Sequence, residues 1–181
     1  MNNLILLRHG QSKFNLQRRF TGFYDVELTS KGKDEAKYAG QLIQKLGIGF
    51  DEYFTSKLAR ATNSLDIILK VLNKKNARIN SAWELNERHY GALTGLNKDE
   101  TIKKYGNKQV QAWRRSFNTP PPKINTNHPY FNDINSKILG ESLKDTFERV
   151  IPYFNKKIRP LLLSNKNVLI VFHGNSCRAL L

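Results

Sequence analysis

Two histidines in this chain stand at matching places. His9 follows the apolar run Leu4-Ile5-Leu6-Leu7 and is flanked by Arg8 and Gly10. His173 follows Val168-Leu169-Ile170-Val171-Phe172 and precedes Gly174 and Asn175. In an open α/β sheet, residues just past the carboxyl ends of strands face the ligand crevice. An imidazole there can accept a phosphoryl group on nitrogen, and a guanidinium beside it neutralises charge on the oxygens in transfer. Gly10 lets the backbone approach a phosphate closely, and Ser12 and Asn15 offer neutral donors. Near a phosphohistidine, His173 suits the role of donor to the phosphoryl group in flight.

Further groups of the same chemical kind lie between them. Arg60 follows Thr55-Ser56-Lys57-Leu58 as a second guanidinium near a strand end. Leu85-Asn86-Glu87-Arg88-His89-Tyr90-Gly91 is polar for a connection. In it Glu87 can move a proton to and from a substrate hydroxyl, and Tyr90 offers a hydroxyl of its own. Arg114 and Arg115, in Trp113-Arg114-Arg115-Ser116, can clamp a carboxylate or phosphate bidentately. Lys98 adds one more cation. Taken singly, each has an ordinary reading: a surface arginine, a satisfied histidine, or basic residues at a helix C-terminus. Taken together they offer imidazoles and many cations around one obvious carboxylate, which suits a small polyanion. H-E-x-x-H, zinc-type Cys/His spacing, a P-loop and a dinucleotide glycine fingerprint are all missing.

The elements that must carry these groups alternate in type. Leu4 to Leu7 reads as a strand. Ser30 to Leu46 reads as a helix, with Thr29 as N-cap, Gly47 as stop, and Ala36, Ala39, Gly40, Ile43 and Leu46 along one face. Phe50 to Thr55 is the next strand and Leu58 to Leu72 the next helix. Arg78 to Ile79 is a short strand, and Asn97 to Tyr105 and Gln109 to Arg115 are short helices. Ser142 to Leu163 is helical with breaks at Pro152 and Pro160. Asn167 to Phe172 is the last strand, and a helix is due to begin after His173. The alternation predicts an α/β sandwich with a mostly parallel sheet. Residues 118–140, with Pro120-Pro121-Pro122 and many asparagines, are too long for an ordinary connection and are expected to form an irregular lid or insert.

Composition narrows the class. With 181 residues and 39% apolar content, the chain suffices for one well-buried domain. The sequence has no membrane-length apolar run. Met1-Asn2-Asn3 leads straight into a strand, which argues against a signal peptide. The single cysteine, Cys177, fits a reducing compartment, so a cytoplasmic location is expected. The net charge of +15, from 30 basic and 15 acidic residues, favours anions. It also raises a basic nucleic-acid-binding module as a rival reading, but the charge is scattered rather than packed into one run. The expectation is therefore no nucleic-acid and no membrane partner.

As a set, these segments closely resemble the cofactor-dependent phosphoglycerate mutases of the histidine phosphatase superfamily. The matching stretches are Leu6-Leu7-Arg8-His9-Gly10-Gln11-Ser12, Phe20-Thr21-Gly22-Phe23, Thr55-Ser56-Lys57-Leu58-Ala59-Arg60-Ala61, Leu85 to Gly91, Gly95 to Lys98, Trp113 to Ser116, Glu141 to Asp145 and His173-Gly174-Asn175-Ser176. They run in family order over nearly the whole chain. The resemblance implies a three-layer α/β sandwich with a mostly parallel central sheet flanked by helices. It implies His9 as the phosphoryl-carrying nucleophile, and Arg8, Arg60 and His173 as the phosphate pocket with Asn15 and Gly174 assisting. Glu87 resembles the proton donor and acceptor. Thr21, Gly22, Tyr90, Lys98, Arg114 and Arg115 resemble phosphoglycerate contacts, and Asn175 belongs with the same pocket. The implied reaction interconverts 3- and 2-phosphoglycerate in glycolysis and gluconeogenesis, primed by 2,3-bisphosphoglycerate and without metal. The implied partners are small phosphoglycerates, with a homodimer left open.

The chain departs from the family pattern in three places. Phe23 stands where tryptophan is usual, and Cys177 stands where leucine is usual. The sequence stops at Leu181, where family members continue. The expectation is thus a single catalytic domain over 1–181 that lacks the family's C-terminal segment, with sheet surface exposed and less cover for a phosphohistidine. Two alternatives follow from the same residues: a histidine-type phosphatase of this fold, or a shortened product with impaired activity.

Overall fold

A computed structural model describes residues 2–181. In chain order the elements are β1 (Leu4–Arg8), α1 (Lys13–Leu16), α2 (Ser30–Lys45), β2 (Glu52–Thr55), α3 (Ala59–Val71), β3 (Ile79–Ser81), α4 (Lys98–Tyr105), α5 (Asn107–Arg115), α6 (Phe131–Ile134), α7 (Leu143–Tyr153), α8 (Arg159–Leu163), β4 (Val168–Phe172) and α9 (Gly174–Leu180). Most lie where the periodicity predicts. Three expected helix starts, Leu58, Asn97 and Ser142, prove to be caps, while α5 begins two residues before the expected Gln109. Asn97 accepts from the Asp99 and Glu100 amides, and Ser142 forms a reciprocal capping box with Asp145. The short strand falls at Ile79–Ser81 instead of Arg78 to Ile79. The long predicted helix after Ser142 is broken by a π turn at Phe154–Ile158, just past Pro152, while Pro160 sits at the start of α8. Both positions follow from proline's missing N–H.

The four strands form one parallel sheet in the order β1-β4-β2-β3. β4, at an interior position, is buried on both faces along its whole length, which is why it reads as an unbroken apolar run rather than an alternation. Its side chains divide by parity. Leu169 and Val171 join Ile43, Leu65, Ile68 and Leu69 from α2 and α3 on one face. Val168, Ile170 and Phe172 join Leu85 and Ile158 on the other, beneath the α7–α8 segment. The result is the expected three-layer sandwich.

Register is the feature that matters for chemistry. Leu4 pairs with Val168 and Arg8 with Phe172, so β1 and β4 end in phase and release His9 and His173 side by side. The His9 amide continues the ladder by donating to the Phe172 carbonyl at 3.0 Å. The turn after His9 is then pinned. The Gly10 amide donates to Ser64 Oγ (3.1 Å), the Gln11 amide to Glu35 (2.8 Å), and the Thr29 amide to the Gln11 carbonyl (2.9 Å). Gly10 and Gly32 are glycines because the turn and the first helical turn of α2 touch backbone to backbone. A Cβ on Gly10 would lie 2.0 Å from the Gly32 oxygen, and one on Gly32 would lie 2.0 Å from the Gln11 oxygen.

Residues 118–140 are irregular apart from α6, yet they are packed. The Ala92 amide donates to the Pro122 carbonyl (2.8 Å), Ile124 is buried, and the Tyr130 ring lies against Gly95 and within 4.4 Å of the Tyr24 ring, centroid to centroid.

Replacing Gly32 by alanine adds helix propensity but forces backbone apart beside His9. The expected net cost is about 1–3 kcal/mol in urea denaturation. Gly49→Ala, where the added Cβ meets nothing within 4 Å, serves as the tolerated control.

Candidate active site

At the carboxyl ends of the strands lies a cavity of about 280 Å³. Arg8 and His9 enter it from the end of β1, Arg60 from the first turn of α3, and Glu87 and Tyr90 from the connection after β3. Lys98 comes from the start of α4, Arg114 and Arg115 from the end of α5, and Gly174 and Asn175 from the start of α9. Asn15, Thr21 and Gly22 complete the predicted lining. The residues singled out from the sequence therefore converge, with one difference in depth. His173 is fully buried behind His9 rather than in the cavity wall, with the two rings 5.0 Å apart at 61°. Ser12 is not a pocket donor. It is buried as the N-cap of α1, where it exchanges hydrogen bonds with Asn15.

Three lining residues are not among the site residues expected from the sequence: Arg19, Phe20 and Arg178. Arg19 is held by the Gly95 carbonyl at 2.7 Å, and Arg178 donates to Asn175 Oδ1 at 3.2 Å. Arg178 was recoverable in principle, since it sits one helical turn beyond Asn175 on the predicted helix. With these two added, Arg8, Arg19, Arg60, Lys98, Arg114, Arg115 and Arg178 surround a lining whose only carboxylate is Glu87.

Local bonds define the protonation of each imidazole. His9 Nδ1 lies 2.6 Å from the Gly10 carbonyl, an acceptor, so Nδ1 carries the proton and Nε2 keeps the lone pair. Burial, reinforced by the Arg60 guanidinium, lowers the His9 pKa to about 3, which keeps the ring neutral and nucleophilic. His173 Nε2 lies 2.8 Å from Ser56 Oγ, which also accepts the Leu58 amide at 3.2 Å. The Ser56 hydroxyl has no other acceptor for its own proton, so that proton goes to Nε2, and the His173 proton resides on Nδ1. Nδ1 is buried without a partner, an uncommon and costly state for a donor. Burial, then Arg60, also holds His173 well below the usual histidine range.

The cations are desolvated in turn. Arg60 is buried and donates to the carbonyls of Gly22 (2.8 Å) and Tyr24 (3.1 Å). Burial draws its pKa down to about 10, still charged at neutral pH. Burial and the Arg114 charge bring Lys98 down to about 8. Glu87 Oε1 accepts from the Arg88 amide (2.8 Å) and from the Asn175 amide (3.2 Å) and side chain (2.9 Å). A half-buried, low-dielectric site lined by uncompensated cations binds a multiply charged anion strongly. Among the described residues no three His, Cys, Asp or Glu side chains converge as a metal-binding group.

Residues 4–181 match the family model of the histidine phosphatase superfamily (branch 1). The chain belongs to that superfamily. Within it, the chain is 52% identical to the 2,3-bisphosphoglycerate-dependent phosphoglycerate mutase of Buchnera aphidicola subsp. Acyrthosiphon pisum (strain 5A), over 100% of this chain and 82% of the relative. It is 50% identical to the enzyme of the same name from Hamiltonella defensa, over 99% and 76%. It is thus a member of the phosphoglycerate mutase family. The fold also superposes on the solved phosphoglycerate mutase of Bacillus anthracis with a TM-score of 0.74, at 20% identity, covering 99% of this chain and 79% of that one. No helix of the described residues is long and apolar enough to cross a membrane.

Two measurements check the imidazole assignments. The ¹⁵N ring shifts of His9 and His173 should stay those of neutral rings between about pH 8 and pH 5. Ser56→Ala should leave His9 unchanged while the His173 shifts move toward a mixture of tautomers.

Proposed function

We propose that this protein is a 2,3-bisphosphoglycerate-dependent phosphoglycerate mutase, interconverting 3- and 2-phosphoglycerate through a phosphohistidine at His9, and that it works in the cytoplasm. One observation carries this reading: two neutral imidazoles, one with a free lone pair on Nε2 and the other with an unpartnered Nδ1–H, meet beside a cavity of desolvated cations that holds a single carboxylate. The buried, unpartnered Nδ1 of His173 fits an anionic oxygen, and the spread of cations from Arg60 to Arg115 fits a ligand with more than one anionic group. When bound, 2,3-bisphosphoglycerate supplies the phosphoryl group that primes His9. Arg8, Arg60 and His173 hold the phosphoryl end, with Asn15 and the Gly174 backbone assisting. Arg114, Arg115, Lys98, Tyr90, Thr21, Gly22 and Asn175 hold the glycerate end.

The chemistry follows from the two protonation states. Phosphorylated His9 hands its phosphoryl group to the free hydroxyl of a phosphoglycerate. The P–N bond breaks as the new P–O bond forms, and Glu87 takes the hydroxyl proton. His9 Nε2 then attacks the phosphorus on the neighbouring carbon, and Glu87 returns the proton to the oxygen that leaves. Glu87 uses Oε2 for this, since Oε1 is occupied by three N–H donors. His173 Nδ1–H and the guanidiniums stabilise the equatorial oxygens throughout. In the same reading residues 1–181 act as one catalytic unit, and 118–140 is an insert that buttresses the Tyr90 connection.

Purified protein given 3-phosphoglycerate and a trace of 2,3-bisphosphoglycerate should form 2-phosphoglycerate, with acid-labile, base-stable label on the protein. His9→Ala should lose both product and label. Release of inorganic phosphate in place of 2-phosphoglycerate would instead identify a phosphatase. Because a bound anion raises the Lys98 pKa above its free value of about 8, substrate binding takes up a proton above that pH. KM should therefore climb by up to about tenfold per pH unit there, and Lys98→Arg, charged at every accessible pH, should flatten that climb.

A further inference from the structure

Asn86, Glu87, Arg88 and His89 lie between two short 3-10 turns, Trp83–Leu85 and Gly91–Leu93, and belong to no helix or strand, so the carbonyls along this connection need partners elsewhere. Three of them meet one side chain outside the cavity lining, and the Ser176 hydroxyl also donates to the Asn86 carbonyl. Arg149, on α7, uses all five of its N–H donors. Nη1 donates to the carbonyls of Glu84 (2.6 Å) and Asn86 (3.0 Å), and Nη2 to the carbonyl of Glu87 itself (3.0 Å). The remaining two go to the Glu141 carboxylate, Nε to Oε1 (2.6 Å) and Nη2 to Oε2 (2.9 Å). Glu141 in turn grips the far side of the same connection. Its Oε2 accepts the His89 amide (2.8 Å), and its own amide donates to the His89 carbonyl (2.9 Å). The guanidinium plane is fixed by aromatic rings, 5.5 Å from Phe23 and 5.9 Å from Trp83. Both ionic side chains are buried.

We propose that Arg149, locked by Glu141, is a positioning residue for Glu87. The pair holds the backbone on both sides of the carboxylate from behind, Arg149 at Glu84, Asn86 and Glu87 and Glu141 at His89, and Arg149 touches neither substrate nor the reacting atoms. The planar five-donor fork is what makes this possible, because it meets three carbonyls and one carboxylate at once. A lysine, with three donors on a flexible stem, cannot reproduce that geometry. The Phe23 ring is one of the surfaces that orient the fork.

The proposal rests on the acid–base role assigned to Glu87, so the test separates the two. Proton transfer matters when the leaving oxygen is an alcohol and not when it is p-nitrophenolate, which departs without a proton. Arg149→Lys should therefore lower mutase kcat by about 10–100-fold with KM nearly unchanged, while the burst of p-nitrophenolate that accompanies phosphorylation of His9 by p-nitrophenyl phosphate keeps its rate. Glu87→Gln should show the same selectivity more strongly, and a Glu87→Gln protein with full mutase activity would sink the acid–base role alone. Hydrogen exchange reads the positioning without reference to catalysis. In Arg149→Lys the amides of Arg88 and His89 should exchange at least about tenfold faster while those of β4 do not change. Equal loss in both reactions, loss in neither, or uniform acceleration of exchange would overturn the proposal. If Arg149→Lys does not fold, Glu141→Gln, which keeps the shape and removes the charge, is read by the same two ratios.

Discussion

The in-phase parallel pairing of β1 with β4 is the constraint on which everything else in this molecule depends. A shift of one residue in that register would turn every β1 side chain to the opposite face. Ile5 and Leu7 would then leave the α2–α3 side, Leu4 and Leu6 would leave the α7–α8 side, and His9 would no longer meet His173. The register is specified because both faces of the sheet are buried. The same apolar packing that holds the core together sets the separation of the two imidazoles.

Around that pair, the structure keeps several polar groups in states that water would not leave them in. Arg60 is buried among backbone carbonyls, Lys98 is drawn toward neutrality, and both histidines are kept from protonating. Burial disfavours the charge on Arg60 and Lys98, and an arriving anion restores it. Catalytic sites concentrate such perturbed groups because the transition state supplies the missing partner. A single tautomer, with opposite ring nitrogens left free, completes the arrangement. The Gly10 carbonyl leaves a lone pair on His9 Nε2, and the Ser56 hydroxyl leaves a proton on His173 Nδ1. Chemically identical side chains thus acquire opposite roles from one neighbouring oxygen each.

Support for this site comes from backbone as much as from side chains. The Gly10–Gly32 contact lets the turn carrying His9 sit directly on α2, and the Arg149 fork holds the connection carrying Glu87. Both loops lack regular hydrogen bonding of their own, so an outside element supplies it. This is the usual condition for a precise site built on irregular chain, where the first layer of residues is only as accurate as the layer behind it.

Much was legible in the sequence because the relevant signals are local. The unbroken apolar run of β4, the apolar stripe of α2 and the cap at Thr29 follow from periodicity and short-range hydrogen bonding, and together with the alternation of strands and helices they specify an α/β sandwich. The residue types of the motifs also limited the chemistry to that of a small anion. What only the tertiary structure decided depends on contacts between distant segments. The sequence could not say that His173 lies behind His9 and not beside it, that Ser12 caps a helix and not a phosphate, or that Arg19 reaches the cavity. Nor does any motif mark Arg149, whose partners are carbonyl oxygens present at every residue. Backbone acceptors carry no sequence signature, so which of them meet a buried guanidinium is settled only when the chain has folded.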